Sequence, residues 1–185
     1  MRDVEALMRD NNKAKTFTHM LDVANVNREI AARFGLDADK CFASGLLHDI
    51  SAVIAPADML RYAERQGMEL CEAERKYPFL LHQRLSEKVA KEYFMITDTD
   101  VLSSTACHTT LKKDADAYEM ALFIADKLAW DQEGIPPFFD AVQDALDASL
   151  EKACYVYMRY MIDNGKLLCP HTDWTAALQW LENRI

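Results

Sequence analysis

Long apolar runs are missing from this chain: no stretch approaches the roughly 20 consecutive apolar residues needed to cross a bilayer, so no membrane partner is expected. Glycine and proline are scarce, with five of each, and no segment alternates apolar and polar residues with the period of a strand. Leu, Ala, Met, Glu, Asp and Lys dominate instead, which makes helix the default. The cysteines (Cys41, Cys71, Cys107, Cys154, Cys169) are scattered and form no C-x-x-C pair, which excludes a zinc knuckle and a disulfide framework. Four of them lie in apolar or helical contexts that suit core packing. The N-terminal MRDVEALMRDNNKAK is charged and lacks a secretory apolar core, and the reading is a reduced, cytoplasmic chain. Positive charge is in deficit. A net charge of −9 argues against nucleic acid, whose binding runs on clustered Lys and Arg. It leaves room for a small phosphate ligand, because metal ions neutralise phosphate locally.

What the chain does have is enough apolar material for one domain: half of its 185 residues are apolar and 28% are charged. Stop signals at Gly35, Gly67, Gly134 and Gly165, with Pro56, Pro78 and the Pro136-Pro137 pair, divide it into an all-α bundle of about seven to nine helices. The expectation is a single domain over residues 1–185, with C-terminal helices from about residue 138 packing on the rest. The stretch Ala43–Ile50, ASGLLHDI, ends an apolar run with His48 beside Asp49. Burying an unpaired charge costs several kcal/mol or more, so this pair needs a partner. A divalent cation suits both groups.

Three further histidines fall where helical spacing predicts burial. His19, Val23, Val26 and Ile30 follow i, i+4, i+7 and i+11; His82, Leu85 and Val89 follow i, i+3 and i+7; His108 closes a short helix from Val101. Asp126 interrupts the apolar block ALFIADKLAW. Singly, each has a plain structural reading, such as a core histidine bonded to a carbonyl. Jointly they form a set of imidazoles and carboxylates suited to first-row divalent metals. Six ligands exceed what one catalytic metal with open positions uses, and two metals sharing a bridging Asp49 fit better. Such a pair lowers the pKa of bound water and neutralises charge at phosphorus, chemistry that favours hydrolysis of a phosphate ester or anhydride. His171, after Pro170, is read as structural.

The order H…HD…H…H…D resembles the HD superfamily of metal-dependent phosphohydrolases, and more closely its YqeK-like branch. The matching segments are FTHMLDVA, ASGLLHDI, LLH, CHTT and ALFIADK, with LDASLEKACYVYMRYMIDNG and CPHT toward the C-terminus. The resemblance implies an HD-domain helical bundle that hydrolyses symmetrical dinucleoside tetraphosphates to two nucleoside diphosphates. It implies a centre of two divalent ions, iron first among them, with manganese or magnesium as alternatives. His19, His48, Asp49 and Asp126 would hold one ion, and Asp49, His82 and His108 the other, with Asp49 and His48 catalytic. Several basic positions of the branch are replaced here, by Thr16, Ala52 and Gln132, and Leu111 stands where a glycine is usual. Lys112, Lys113, Lys127 and Arg84 are the candidates to replace that charge against a nucleotide. The alternatives are an HD phosphohydrolase acting on a mononucleotide or triphosphate, and a non-catalytic nucleotide or metal sensor. Trp130, Phe138 and Phe139, read as exposed, allow a homodimer.

Overall fold

A computed structural model describes residues 2–185. Eleven α-helices and two 3-10 turns, with no strand among the described residues, make up the fold. In chain order the helices are α1 (Arg2–Asp10), α2 (Ala14–Phe34), α3 (Ala38–Leu47), α4 (Pro56–Arg65), α5 (Glu72–Lys76), α6 (His82–Glu92), α7 (Thr99–Cys107), α8 (Ala117–Leu128), α9 (Phe139–Ala148), α10 (Leu150–Asp163) and α11 (Thr172–Glu182). The 3-10 turns cover Ile50–Val53 and Pro78–Leu81. No helix among the described residues is long and apolar enough to cross a membrane.

The helix count exceeds the expected seven to nine for two local reasons. The stretch CEAERK forms the short α5, whose Glu74 Oε2 accepts the Cys71 backbone N–H at 3.0 Å in a capping box. The long segment from residue 138 breaks at Ser149, whose Oγ accepts the Lys152 N–H at 3.0 Å and so starts α10 as a new helix.

Helix α8 is the axis of the fold. Met120 to Ala125 are all buried, so this helix is apolar on every side, as an internal helix must be. One core joins it to α2, α9, α10 and α11. A second core lies between α1, α2, α3 and α7, and a third, smaller one between α4, the Pro78–Leu81 turn and α6. Trp130, Phe138 and Phe139 are part of the first core and not exposed. Phe138 is 6% exposed and meets Trp130, Tyr157 and Tyr160 edge-on, so the ground for a dimer at that turn is removed. Of the cysteines, three rather than four are buried (Cys41, Cys107, Cys154), and all five are free thiols.

Helices α2 and α3 approach each other closely at Gly45 and Ala24. A Cβ on Gly45 would lie 2.5 Å from Ala24 Cα and 2.8 Å from its backbone nitrogen, so only glycine fits. One turn away, buried Asn27 donates from Nδ2 to the Cys41 carbonyl at 2.8 Å and to Ser44 Oγ at 3.2 Å. The turn between the two helices is fixed by Gly35, left-handed at φ 68°, and by Asp37. Asp37 Oδ1 accepts the N–H groups of Asp39 and Lys40 at 2.9 and 3.1 Å. His19 and His48 ride on this crossing.

Candidate metal centre

Each histidine is delivered by a helix end or an inward stripe. His48 and His108 cap the C-termini of α3 and α7, and His82 follows the Pro78–Leu81 turn as the first residue of α6. His19 projects from the buried side of α2, and Asp126 from the last turn of α8. In three of the rings Nδ1 faces the carbonyl three residues earlier: His48 to Gly45 at 2.7 Å, His82 to Phe79 at 2.6 Å and His108 to Thr105 at 2.9 Å. A carbonyl only accepts, so Nδ1 carries the proton and the neutral ring presents Nε2 as a lone pair. The same local bond at three sites fixes three tautomers.

Those Nε2 atoms converge on the two carboxylates. His19 Nε2 is 3.2 Å and His48 Nε2 3.6 Å from Asp126 Oδ1. His48 Nε2 is also 3.6 Å from Asp49 Oδ2. The other oxygen, Asp49 Oδ1, faces His82 Nε2 at 3.4 Å and His108 Nε2 at 3.7 Å. The ligand atoms of His19, His48 and Asp126, and those of His48, Asp49 and His108, lie within 4.8 Å of one another in each group. All six residues singled out in the sequence therefore meet in one cluster.

The cluster needs positive charge. His82 Nε2 and His108 Nε2 stand 3.0 Å apart, lone pair toward lone pair, and His48 Nε2 is buried without any hydrogen-bond partner. The Thr109 hydroxyl, 3.1 Å from His82 Nε2, can donate to only one of them. Burial, with His48 and His82 adding to it, keeps His108 well below the ordinary imidazole range, so this ring does not supply the charge by taking a proton. Burial raises the Asp126 carboxyl, but Lys127 and the His19 hydrogen bond outweigh it and hold the group well below the usual carboxylate range. Asp49 is held down in the same sense, against burial, by His48, His82 and His108. Burial lowers His19, and its bond to Asp126 more than reverses this. Neutral imidazole and ionised carboxylate are the donor forms that divalent first-row ions take, so the residues present fit such ions.

The four basic candidates separate. Lys127 reaches the cluster: its ammonium pairs with Asp126 Oδ2 and lies 3.5 Å from the His108 carbonyl. Lys112 turns away to Glu119 at 2.5 Å and Ser103 at 3.2 Å. Arg84 is held by Glu74 Oε1 at 2.8 Å and the Glu69 carbonyl at 2.9 Å. Lys113 is largely exposed, with Asp114 its nearest carboxylate at 3.9 Å.

Some residues that shape the cluster escape a reading of the sequence. Gln83, 1% exposed, accepts the N–H groups of Thr109 and Thr110 at 3.0 and 3.2 Å, locking the loop after His108 to the helix of His82. Ser51 Oγ donates to the His82 carbonyl at 2.8 Å, and its N–H donates to Ser86 Oγ at 3.1 Å, tying the turn after Asp49 to α6. Glutamine and serine on polar-looking helices give no signal of this. Glu74, 1% exposed, joins Arg84 of α6 to the neighbourhood of His171, whose Nε2 is 3.7 Å away. His171 itself caps α11, its Nδ1 accepting the Asp173 N–H at 3.1 Å, which is the structural role read from the sequence.

A helical bundle whose helix ends gather imidazoles and carboxylates around a site for divalent cations defines a class: the helical metal-dependent phosphohydrolases. The chain belongs to the HD domain family, which it matches over residues 16–131. It is 34% identical to an uncharacterized Lactococcus lactis subsp. cremoris protein encoded in the pepC 5′ region, over 95% of this chain and 87% of that one. It is 23% identical to the symmetrical bis(5′-nucleosyl)-tetraphosphatase of Bacillus subtilis, over 74% of this chain and 72% of the relative. The fold is shared with a Clostridium acetobutylicum protein described as an HD superfamily hydrolase involved in NAD metabolism. That likeness has a TM-score of 0.87 and 24% identity, and covers 100% of this chain and 97% of the other.

Proposed function

We propose that this protein hydrolyses symmetrical dinucleoside tetraphosphates to two nucleoside diphosphates at a centre of two divalent ions, iron being the first candidate. The observation that carries the two-ion reading is the division of Asp49: one oxygen faces His48 and the other faces His82 and His108. A carboxylate so placed would serve two ions, one held with His19, His48 and Asp126 and the other with His82 and His108. Bound ions would supply Lewis acidity, neutralising charge at phosphorus and activating water. The chain's own groups do the rest. Asp49 and His48 hold the shared face of the centre and are the catalytic pair. Nδ1–H bonds to carbonyls keep the rings aimed. Lys127, paired with Asp126 Oδ2 at the edge of the cluster, places an ammonium where a phosphate oxygen arrives. Symmetrical cleavage of the tetraphosphate follows the name of the Bacillus subtilis relative.

The test is a nucleotide panel run on protein purified without chelator, with metal content measured on the same sample. Release of two diphosphates from diadenosine tetraphosphate, with close to two ions per chain, is the expected result. Turnover of only a mononucleotide or triphosphate would keep the centre and move the substrate. A metal-loaded protein that turns over nothing would favour a sensor or a substrate outside the panel.

A further inference from the structure

Beside the cluster lies a cleft that none of the six ligands lines but that two residues touching the cluster do. Its cavity volume is about 190 Å³, and its walls come from segments far apart in sequence. Tyr77 and Phe79, shortly before His82, line it, as does Leu168 in the loop between α10 and α11. Tyr157 and Trp174 also line it, with ring centroids 6.1 Å apart. Thr109 and Lys127 belong to the same lining. These two touch the cluster directly: Thr109 Oγ1 is 3.1 Å from His82 Nε2, and Lys127 pairs with Asp126.

Two features identify the occupant. The walls are mainly apolar and aromatic, and Phe79 among them stays 50% exposed. In a chain of net charge −9, the lining nonetheless contains Lys127 and Lys166 and no carboxylate. A ligand that is planar and apolar at one end and anionic at the other fits this gradient. The anionic end must point toward Thr109 and Lys127, because that is where the cleft meets the cluster.

We infer that this cleft is the base subsite: it takes the nucleobase of a nucleoside polyphosphate, leaving the phosphate chain to run past Lys127 and Thr109 to the metal centre. The inference rests on the phosphohydrolase reading above and adds where the nucleoside sits. Phe79 supplies the stacking face, and Leu168 adds apolar contact from the loop between α10 and α11. Stacking on an aromatic ring is sequence-tolerant, so the cleft accepts purine and pyrimidine bases alike.

Calorimetric titration of the metal-loaded protein with ADP and with inorganic pyrophosphate tests this. Wild type binds ADP about tenfold more tightly than pyrophosphate if the base is held. Phe79→Ala and Leu168→Asp each weaken ADP by about tenfold and leave pyrophosphate unchanged. Both positions are exposed, at 50% and 74%, so neither variant disturbs the core. Equal affinity for the two ligands in wild type overturns the inference. So does a pair of variants that weakens neither ligand, or both alike. Cleavage of diadenosine tetraphosphate to two diphosphates with unchanged KM in both variants removes the base subsite alone and leaves the proposed activity standing. Absence of binding by both ligands, with no cleavage, removes the proposed activity and the subsite with it.

Discussion

The buried imidazoles are held by bonds costing almost no extra structure. Each Nδ1–H reaches a carbonyl on its own segment, so tautomer and ring direction are settled within one turn of chain. His48 is the ring shared between the two carboxylates, and His48→Ala removes it from both groups of ligand atoms. The expected outcome is loss of bound metal, read by elemental analysis of the folded variant; unchanged metal content would sink the centre as described. Glu74 is a second residue with a measurable signature. Burial pushes its carboxyl up, but the nearby His171 ring, 3.7 Å away, and hydrogen bonds from Arg84 and the Cys71 N–H outweigh this and bring it down to about 2 from 4.5. A carboxyl lowered on folding stabilises the native state above its unfolded pKa, and that contribution disappears as pH falls from 4.5 toward 2. The melting temperature of wild type therefore drops more steeply across that window than that of Glu74→Gln. Parallel curves would mean that Glu74 carries no such linkage. The ligand-type residues were legible at this scale because an imidazole or carboxylate on an apolar stripe is conspicuous. Gln83, Ser51 and Glu74 were not, because their burial comes from segments brought in from elsewhere in the chain.

At the scale of elements, the centre depends on how closely α2 and α3 cross. His19 lies on α2 five residues before Ala24, and His48 lies three residues after Gly45, so the contact between Ala24 and Gly45 sets the spacing of the two rings. Gly45→Ala puts a methyl into backbone, a displacement that no side-chain rotation relieves, and the expected cost is about 1–3 kcal/mol in urea unfolding. Metal content falls with it, since the ligands part as the helices do. Asp37→Ala, in contrast, removes only a cap. It costs about 1 kcal/mol and leaves metal content and turnover as in wild type. A variant with intact stability and lost metal at position 37 would contradict this division. Helix starts such as Asp37 and Asp98 are readable because a capping side chain bonds its own chain. Residues Phe138–Asn164 read as one or two long helices because the apolar pattern runs through Ser149, and one serine hydroxyl decides for two.

For the whole molecule, the ligands come from α2, the residues His48 and Asp49 that follow α3, α6, the end of α7, and α8, so the centre joins five helices spread along the sequence. A cation bound only by the folded state stabilises it in proportion to its excess over Kd. Chelation is therefore expected to lower the melting temperature, with recovery on adding divalent metal; an unchanged transition would mean the ions add nothing to the fold. The all-helical class followed from composition and from the spacing of apolar residues. The cleft beside the centre did not, because residues that line it, such as Phe79 and Leu168, lie almost ninety positions apart in sequence, and no periodicity relates them.

The positions of His48 and His108 as C-caps carry one more consequence. The last carbonyls of α3 and α7 point onward from helices that end at these residues, and a helix C-terminus carries roughly half an elementary negative charge. Two peptide backbones thus aim negative potential into the space that the carboxylates line. That part of the field has no pKa and survives any side-chain substitution. The preference for a cation is written partly into the main chain, and replacing Asp49 or Asp126 by its amide would weaken it without reversing its sign.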